Sequence, residues 1–143
     1  MIDKLLTFWD DTEVLTTAAS THLIDLRAAR QMGPGNTLWV VAHVTTAMTD
    51  AGSDSTMTLT LETDTLATFG SAVVAQTIGT FAAVSAAGTM LAAPIAKFAA
   101  AEQFLRAKLT VANGDLSTGK FTCYIASSPQ EATLYPNAIT ITH

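Results

Sequence analysis

The clearest signal along this chain is a hydrophobic period of two. From Met57 to Asp64, the apolar Met57, Leu59 and Leu61 alternate with Thr58, Thr60, Glu62 and Asp64, as in a strand with one buried face and one wet face. Phe104 to Val111 repeats the pattern, with Leu105, Ala107, Leu109 and Val111 on one side and Arg106, Lys108 and Thr110 on the other. Leu38 to Val44 differs: Leu38, Val40, Ala42 and Val44 face one way, while Trp39, Val41 and His43 face the other, so both faces read as covered. In a sandwich one of these faces belongs to the core. The second is either a subunit contact or the outer side of a central strand beneath a long loop. Further strands are predicted at Leu15–Ala18, Thr21–Leu26, Val73–Ile78, Met90–Ala93, Phe121–Ala126 and Ile139–Thr142.

Turn chemistry separates these segments. Gly33-Pro34-Gly35-Asn36 precedes the Leu38 strand, Ala51-Gly52-Ser53-Asp54 precedes the Met57 strand, and Asn113-Gly114 with Gly119 lies between Val111 and Phe121. Many short strands at this spacing predict an all-β fold, an antiparallel β-sandwich of jelly-roll type. Two segments break the rhythm. Ile2, Leu5, Leu6 and Trp9 fall at helical spacing, which fits an amphipathic turn or, the preferred reading, an extended N-terminal arm over residues 1–12 lying on a neighbouring subunit. Pro94 to Gln103 is Ala-rich with Pro94 placed as in a first helical turn, which predicts one short helix. The whole of 1–143 reads as a single domain closed by a C-terminal segment, 132–143.

Composition narrows the function. Hydrophobic residues make up 49% of the chain and charged residues only 13%, against about 25% in ordinary soluble domains. Thr, Ser and Ala take the place of surface charge, which suits burial against neighbours. The formal net charge is -5 and the seven Lys and Arg residues are scattered, so nothing tracks a phosphate backbone and no nucleic-acid partner is expected. The start of the chain, from Met1-Ile2-Asp3-Lys4 to Asp10-Asp11, does not read as a secretion signal. Phe81 to Ala101 carries Lys97 as its only charge, but Gly88, Pro94 and several hydroxyls interrupt it, so it reads as core and interface and not as a membrane span.

Reactive constellations are scarce. Ser20, His22 and Asp25 lie within one predicted strand, where His22 and Asp25 point to opposite faces and cannot orient one another as a triad requires. Cys123 alternates with Phe121 and Ile125, like a small buried hydrophobe, and has no second cysteine for a disulfide or a zinc site. Asp50, Asp54, Glu62 and Asp64 would need to converge to hold calcium, and the EF-hand pattern is missing, so solvated turn and strand acids are the simpler account. No P-loop follows a strand. No catalytic residue, metal or cofactor is assigned, and the chain is expected not to be an enzyme.

Several stretches, taken in order, carry a family resemblance. They are Met1-Ile2-Asp3-Lys4, Thr16-Thr17-Ala18-Ala19-Ser20, Leu23-Ile24-Asp25-Leu26 leading to Ala28-Ala29-Arg30, and the Gly33 to Gly35 turn. Leu38-Trp39-Val40-Val41, the Thr-rich Met57 to Asp64 strand, Phe104-Leu105-Arg106, Leu109-Thr110-Val111 and Tyr135-Pro136 follow. In this order and spacing the chain resembles the capsid cement (decoration) proteins of tailed bacteriophages. The resemblance implies a jelly-roll-like structural protein on the outer surface of the virion capsid, made in the bacterial host cytoplasm. It further implies contacts with the major capsid protein and with itself, as a homodimer or homotrimer. The Ala-rich Pro94 to Gln103 segment and the Ile139 to His143 tail depart from the family pattern.

On that reading the contact residues are Leu5, Leu6 and Trp9 in the arm, Trp39 and Val41 on the second face of the Leu38 strand, and Tyr135 and Ile139 near the C-terminus. The competing role for Leu5, Trp9 and Trp39 is the protein's own core. Other functions consistent with the sequence are a phage tail or neck adaptor and a carbohydrate-binding β-sandwich, the latter needing exposed aromatics and a calcium loop within Asp50 to Asp64.

Overall fold

A computed structural model describes residues 6–26, 38–82, 84–95 and 103–126. These form nine strands: β1 (Thr7–Glu13), β2 (Ala18–Ala19), β3 (Ile24–Asp25), β4 (Trp39–Thr49), β5 (Thr56–Asp64), β6 (Val73–Phe81), β7 (Met90–Pro94), β8 (Phe104–Ala112) and β9 (Thr118–Ala126). They build two antiparallel sheets, one ordered β1-β9-β4-β7 and the other β2-β8-β5-β6, with β3 also on β8. The pairing is nested: β1 meets β9, β2 and β3 meet β8, β4 meets β7, and β5 meets β6.

The period-two segments supply the centre. Met57, Leu59 and Leu61 of β5, Leu105, Ala107 and Leu109 of β8, Val40, Ala42 and Val44 of β4, and Phe121, Cys123 and Ile125 of β9 are buried in one cluster between the sheets. Phe81 of β6 meets Phe121 of β9 with ring centroids 5.6 Å apart, so these rings stitch one sheet to the other. The polar faces of β5 and β8 form the outside of the second sheet, where the hydroxyls of Thr58 and Thr80 lie 3.0 Å apart across the strands.

Two expectations change. Thr7–Glu13 is neither a helix nor an arm on a neighbour but the edge strand of the protein's own sheet, paired with β9. Register shifts either side of Trp9 let Phe8 and Trp9, adjacent in sequence, both enter the core, as an irregular strand allows and a simple alternation does not. The strands predicted over Leu15–Ala18 and Thr21–Leu26 shrink to the two-residue β2 and β3. Side chains replace ladder bonds on both sides of β2: the Thr17 hydroxyl accepts the Val111 N–H at 2.9 Å, and the Ser20 hydroxyl accepts the Ala107 N–H at 3.1 Å and donates to the His22 carbonyl at 3.0 Å. Pro94 itself ends β7, opposite Trp39. Residues 96–102, 1–5 and 127–143, with the expected helix, the first residues of the arm and the Ile139–Thr142 strand, lie outside the described residues.

The sandwich has two unlike ends. At one, the tight connections 50–55, 84–89 and 113–117 join the strands. At the other lie Leu6, Leu26, Leu38, Asp64, Ile95, Gln103 and Ala126, tied in part by Leu26 N–H to Gln103 O at 2.7 Å, Gln103 N–H to Asp64 O at 3.1 Å and Ile95 N–H to Leu38 O at 2.8 Å. Removing the ring at the centre tests this architecture: Phe121→Ala should cost about 3–5 kcal/mol of unfolding free energy, measured by urea denaturation, with the urea dependence of stability unchanged.

Candidate interaction surface

The sites that sequence chemistry would nominate are occupied by structural duties. Asp50, after β4, accepts the N–H groups of Asp54 and Ser55, each at 3.1 Å, and so clamps the β4–β5 turn. The Ser55 hydroxyl, then the Ser55, Asp54 and Gly52 N–H groups, hold its carboxyl down to about 2. Asp64 does the same for the β5–β6 connection, accepting the Ser71 N–H at 2.8 Å and the Leu66 N–H at 3.1 Å, which lowers its pKa. Glu62 is buried on β5 and held by Arg106 of β8, Nε at 2.8 Å and the terminal nitrogen at 2.7 Å, with Lys108 at 3.3 Å. Asp54 and Asp64 stand at opposite ends of β5, roughly 30 Å apart at ~3.3 Å per residue, so the four acids do not converge. Among the described residues no cluster of three or more His, Cys, Asp or Glu side chains could hold a metal ion.

Cys123 is buried on the inner face of β9, where burial pushes its thiol well above the ordinary range. His43 is buried on the outer face of β4, edge-on to Tyr124 with ring centroids 6.0 Å apart, and its Nδ1 has no hydrogen-bond partner among the described residues. Burial lowers its pKa from 6.5.

The expected contact residues divide by burial. Trp9 fills the protein's own core, and Leu6 is half-buried against it. Val41 is completely buried in a second cluster with Tyr124 and Ala126, against which Trp39, Met90 and Ala92 pack. The second face of β4 is therefore covered within this single chain, and Trp39, half-buried, is its more open member. Leu5, Tyr135 and Ile139 lie outside the described residues.

Sequence reasoning missed a different apolar group. Leu66 is 63% exposed, Val73 56%, Val74 54% and Leu26 36%. All four lie at the sandwich end where Asp64, Phe104 and Gln103 meet, Leu26 through its bond to Gln103 and Val73 opposite Thr63. The available signal was the Val73-Val74-Ala75 run, whose lack of alternation is unlike a half-buried strand. Phe69 holds the loop beneath Leu66: it is buried at a left-handed φ of 51° with the Arg106 guanidinium 4.2 Å above its ring. Backbone strain of that kind in a non-glycine residue survives only where its surroundings fix it.

The fold and its surfaces define an all-β sandwich with structural uses for its acids and a fixed apolar group at one end. The chain belongs to the Bbp16 family, a family of phage-derived proteins, whose model matches residues 8–125. That match takes in the two sheets from β1 to β9. No curated protein matches the chain.

Two measurements test the chemistry described above. Cys123 should resist thiol reagents in the native protein and react stoichiometrically in denaturant, read by mass spectrometry; rapid native labelling would contradict its burial. For His43 the folded pKa is lowered, so its stabilising share is complete above the unfolded value of 6.5 and declines as pH falls through it, because the unfolded chain takes up a proton that the folded chain refuses. Melting temperature should therefore fall between about pH 7 and pH 5, and His43→Phe should flatten that fall; an equal slope in the variant would remove His43 as the cause.

Proposed function

We propose that this protein is a structural virion component that binds the outer surface of a phage capsid and stabilises contacts between major capsid protein subunits, acting without catalysis and with copies of itself as further partners. The observation that carries the reading is membership, from residue 8 to residue 125, of a phage-derived family in a chain whose sandwich spends its acids on its own turns and ion pairs. The nested strand order supports reading the sandwich as a jelly roll. Its low charge content and Thr-rich outer strands suit a surface that sits among neighbours.

The mechanism is mechanical. A shell pressed from within by packaged genome opens at the joints between its subunits. A protein bridging a joint adds binding free energy that must be lost before the joint parts, and an oligomer holding several subunits converts modest contacts into avidity. Leu5, Trp39, Tyr135 and Ile139 are the proposed shell contacts. A rigid sandwich serves this role because little conformational entropy is lost on docking.

Copy number tests it. In particles purified from a matching phage, the chain should stand to the major capsid protein in a ratio near one or a simple fraction of it, measured by quantitative mass spectrometry. A handful of copies per particle would point to a tail or neck adaptor, and none would overturn a virion role.

A further inference from the structure

We infer that Asn113, in the connection between β8 and β9, is a site of spontaneous deamidation, and that the Ser55 hydroxyl, by holding the Gly114 carbonyl, governs how fast the reaction proceeds in the folded chain. This is a covalent modification of the chain by its own backbone, independent of shell binding and of self-association.

The chain has three asparagines, Asn36, Asn113 and Asn137, and of these Asn113 alone is followed by glycine. The order matters because the nucleophile is the backbone nitrogen of the next residue. A bond forms between Gly114 N and Asn113 Cγ, the nitrogen gives up its proton, and the Cγ–Nδ2 bond breaks as ammonia departs. The product is a cyclic succinimide. Water then opens the ring at either carbonyl, giving Asp or, with the backbone rerouted through Cγ, isoaspartate. Thr37 and Ala138 place a Cβ beside the attacking nitrogen after Asn36 and Asn137, whereas Gly114 has none.

The fold leaves the reacting groups in the open and holds the chain on either side of them. Asn113 and Gly114 are exposed, at successive left-handed φ angles of 64° and 107°, a conformation that asparagine and glycine tolerate better than other residues. Among the described residues the Gly114 N–H donates no hydrogen bond, and Asn113 Nδ2 donates to the Asp54 carbonyl at a long 3.3 Å. Neither contact guards the reaction. The firmer restraints are on the backbone: the buried Ser55 hydroxyl donates to the Gly114 carbonyl at 2.8 Å, and the Leu116 and Ser117 N–H groups bond Leu15 O at 2.9 Å and Thr49 O at 2.7 Å. Swinging Gly114 N onto Cγ turns the Asn113–Gly114 peptide and carries the Gly114 carbonyl away from Ser55. The turn must therefore open locally before each attack, which an exposed connection does at far less cost than global unfolding. The product fits the turn less well. A carboxylate at position 113 cannot donate to the Asp54 carbonyl, and it adds negative charge beside exposed Asp54 and Asp115.

Peptide mapping by mass spectrometry tests this on the purified full chain, sampled over weeks at mildly alkaline pH with and without guanidinium chloride. Asn113 should convert ahead of Asn36 and Asn137 in the folded protein, to a mixture of Asp and isoaspartate, and more slowly than in the denaturant. Ser55→Ala should raise the folded-state rate at least threefold and leave the denatured rate unchanged. The circular dichroism spectrum should be unaltered, since the Asp50 clamp uses backbone N–H groups that remain. Ser55→Cys, close in volume and a weaker donor, should shift the rate in the same direction. No conversion of Asn113 in the folded protein, over a period in which the denatured sample converts, would overturn the site. A folded-state rate indifferent to both Ser55 substitutions would overturn the part assigned to Ser55 alone.

Discussion

Register between β9 and β4 is the constraint on which the rest of the sandwich depends. A one-residue slip of β9 would turn Phe121, Cys123 and Ile125 out of the core and drive Thr122 and Tyr124 into it. Phe121 would lose Phe81, the aromatic contact that ties the sheets together. Both faces of β4 enforce the register, because Val40, Ala42 and Val44 pack inward while Val41 joins Tyr124 and Ala126 on the outer side. A strand buried on both faces has no tolerated slip. Its neighbours inherit that precision: β1 takes its position from β9, and β7 takes its position from β4.

Legibility in the sequence follows from the same physics. Alternation is a faithful record of a strand when one face is wet, so β5 and β8 could be read from Met57 to Asp64 and Phe104 to Val111. β4 was legible as a strand covered on both sides, although the sequence could not distinguish a cover made by this chain from one made by a neighbour. β1 was obscured because register shifts put consecutive Phe8 and Trp9 into one cluster, a contact that no simple period encodes. β2 and β3 were overextended because the Thr17 and Ser20 hydroxyls interrupt the ladder, and a hydroxyl side chain has the same appearance in sequence whether it bonds a backbone or faces water. Leu66, Val73 and Val74 were not identified as an exposed group, since exposure is a property of the assembled loop and edge.

The acids show how similar residues acquire different duties through position. Asp50 and Asp64 stand at the two ends of the β5 region, and each gathers backbone N–H groups that a reversing chain cannot pair with itself. Glu62, two residues from Asp64 and buried, instead requires cations, and Arg106 and Lys108 of the neighbouring strand supply them. A buried carboxylate without these partners would be severely penalised. The same Arg106 covers Phe69, so the ion pair that neutralises the sheet also fixes the loop that presents Leu66.

These local arrangements give the sandwich a polarity. The end with tight turns carries exposed acids at Asp54 and Asp115 and closes its strands with short connections. The opposite end matches or encloses its charges around β5 and β8 and leaves apolar side chains in the open. Exposing Leu66, Val73 and Val74 together forgoes hydrophobic stabilisation that a monomer could gain by burying them. The burial, strain and ion pairing of Phe69 and Arg106 hold Leu66 outward despite that loss.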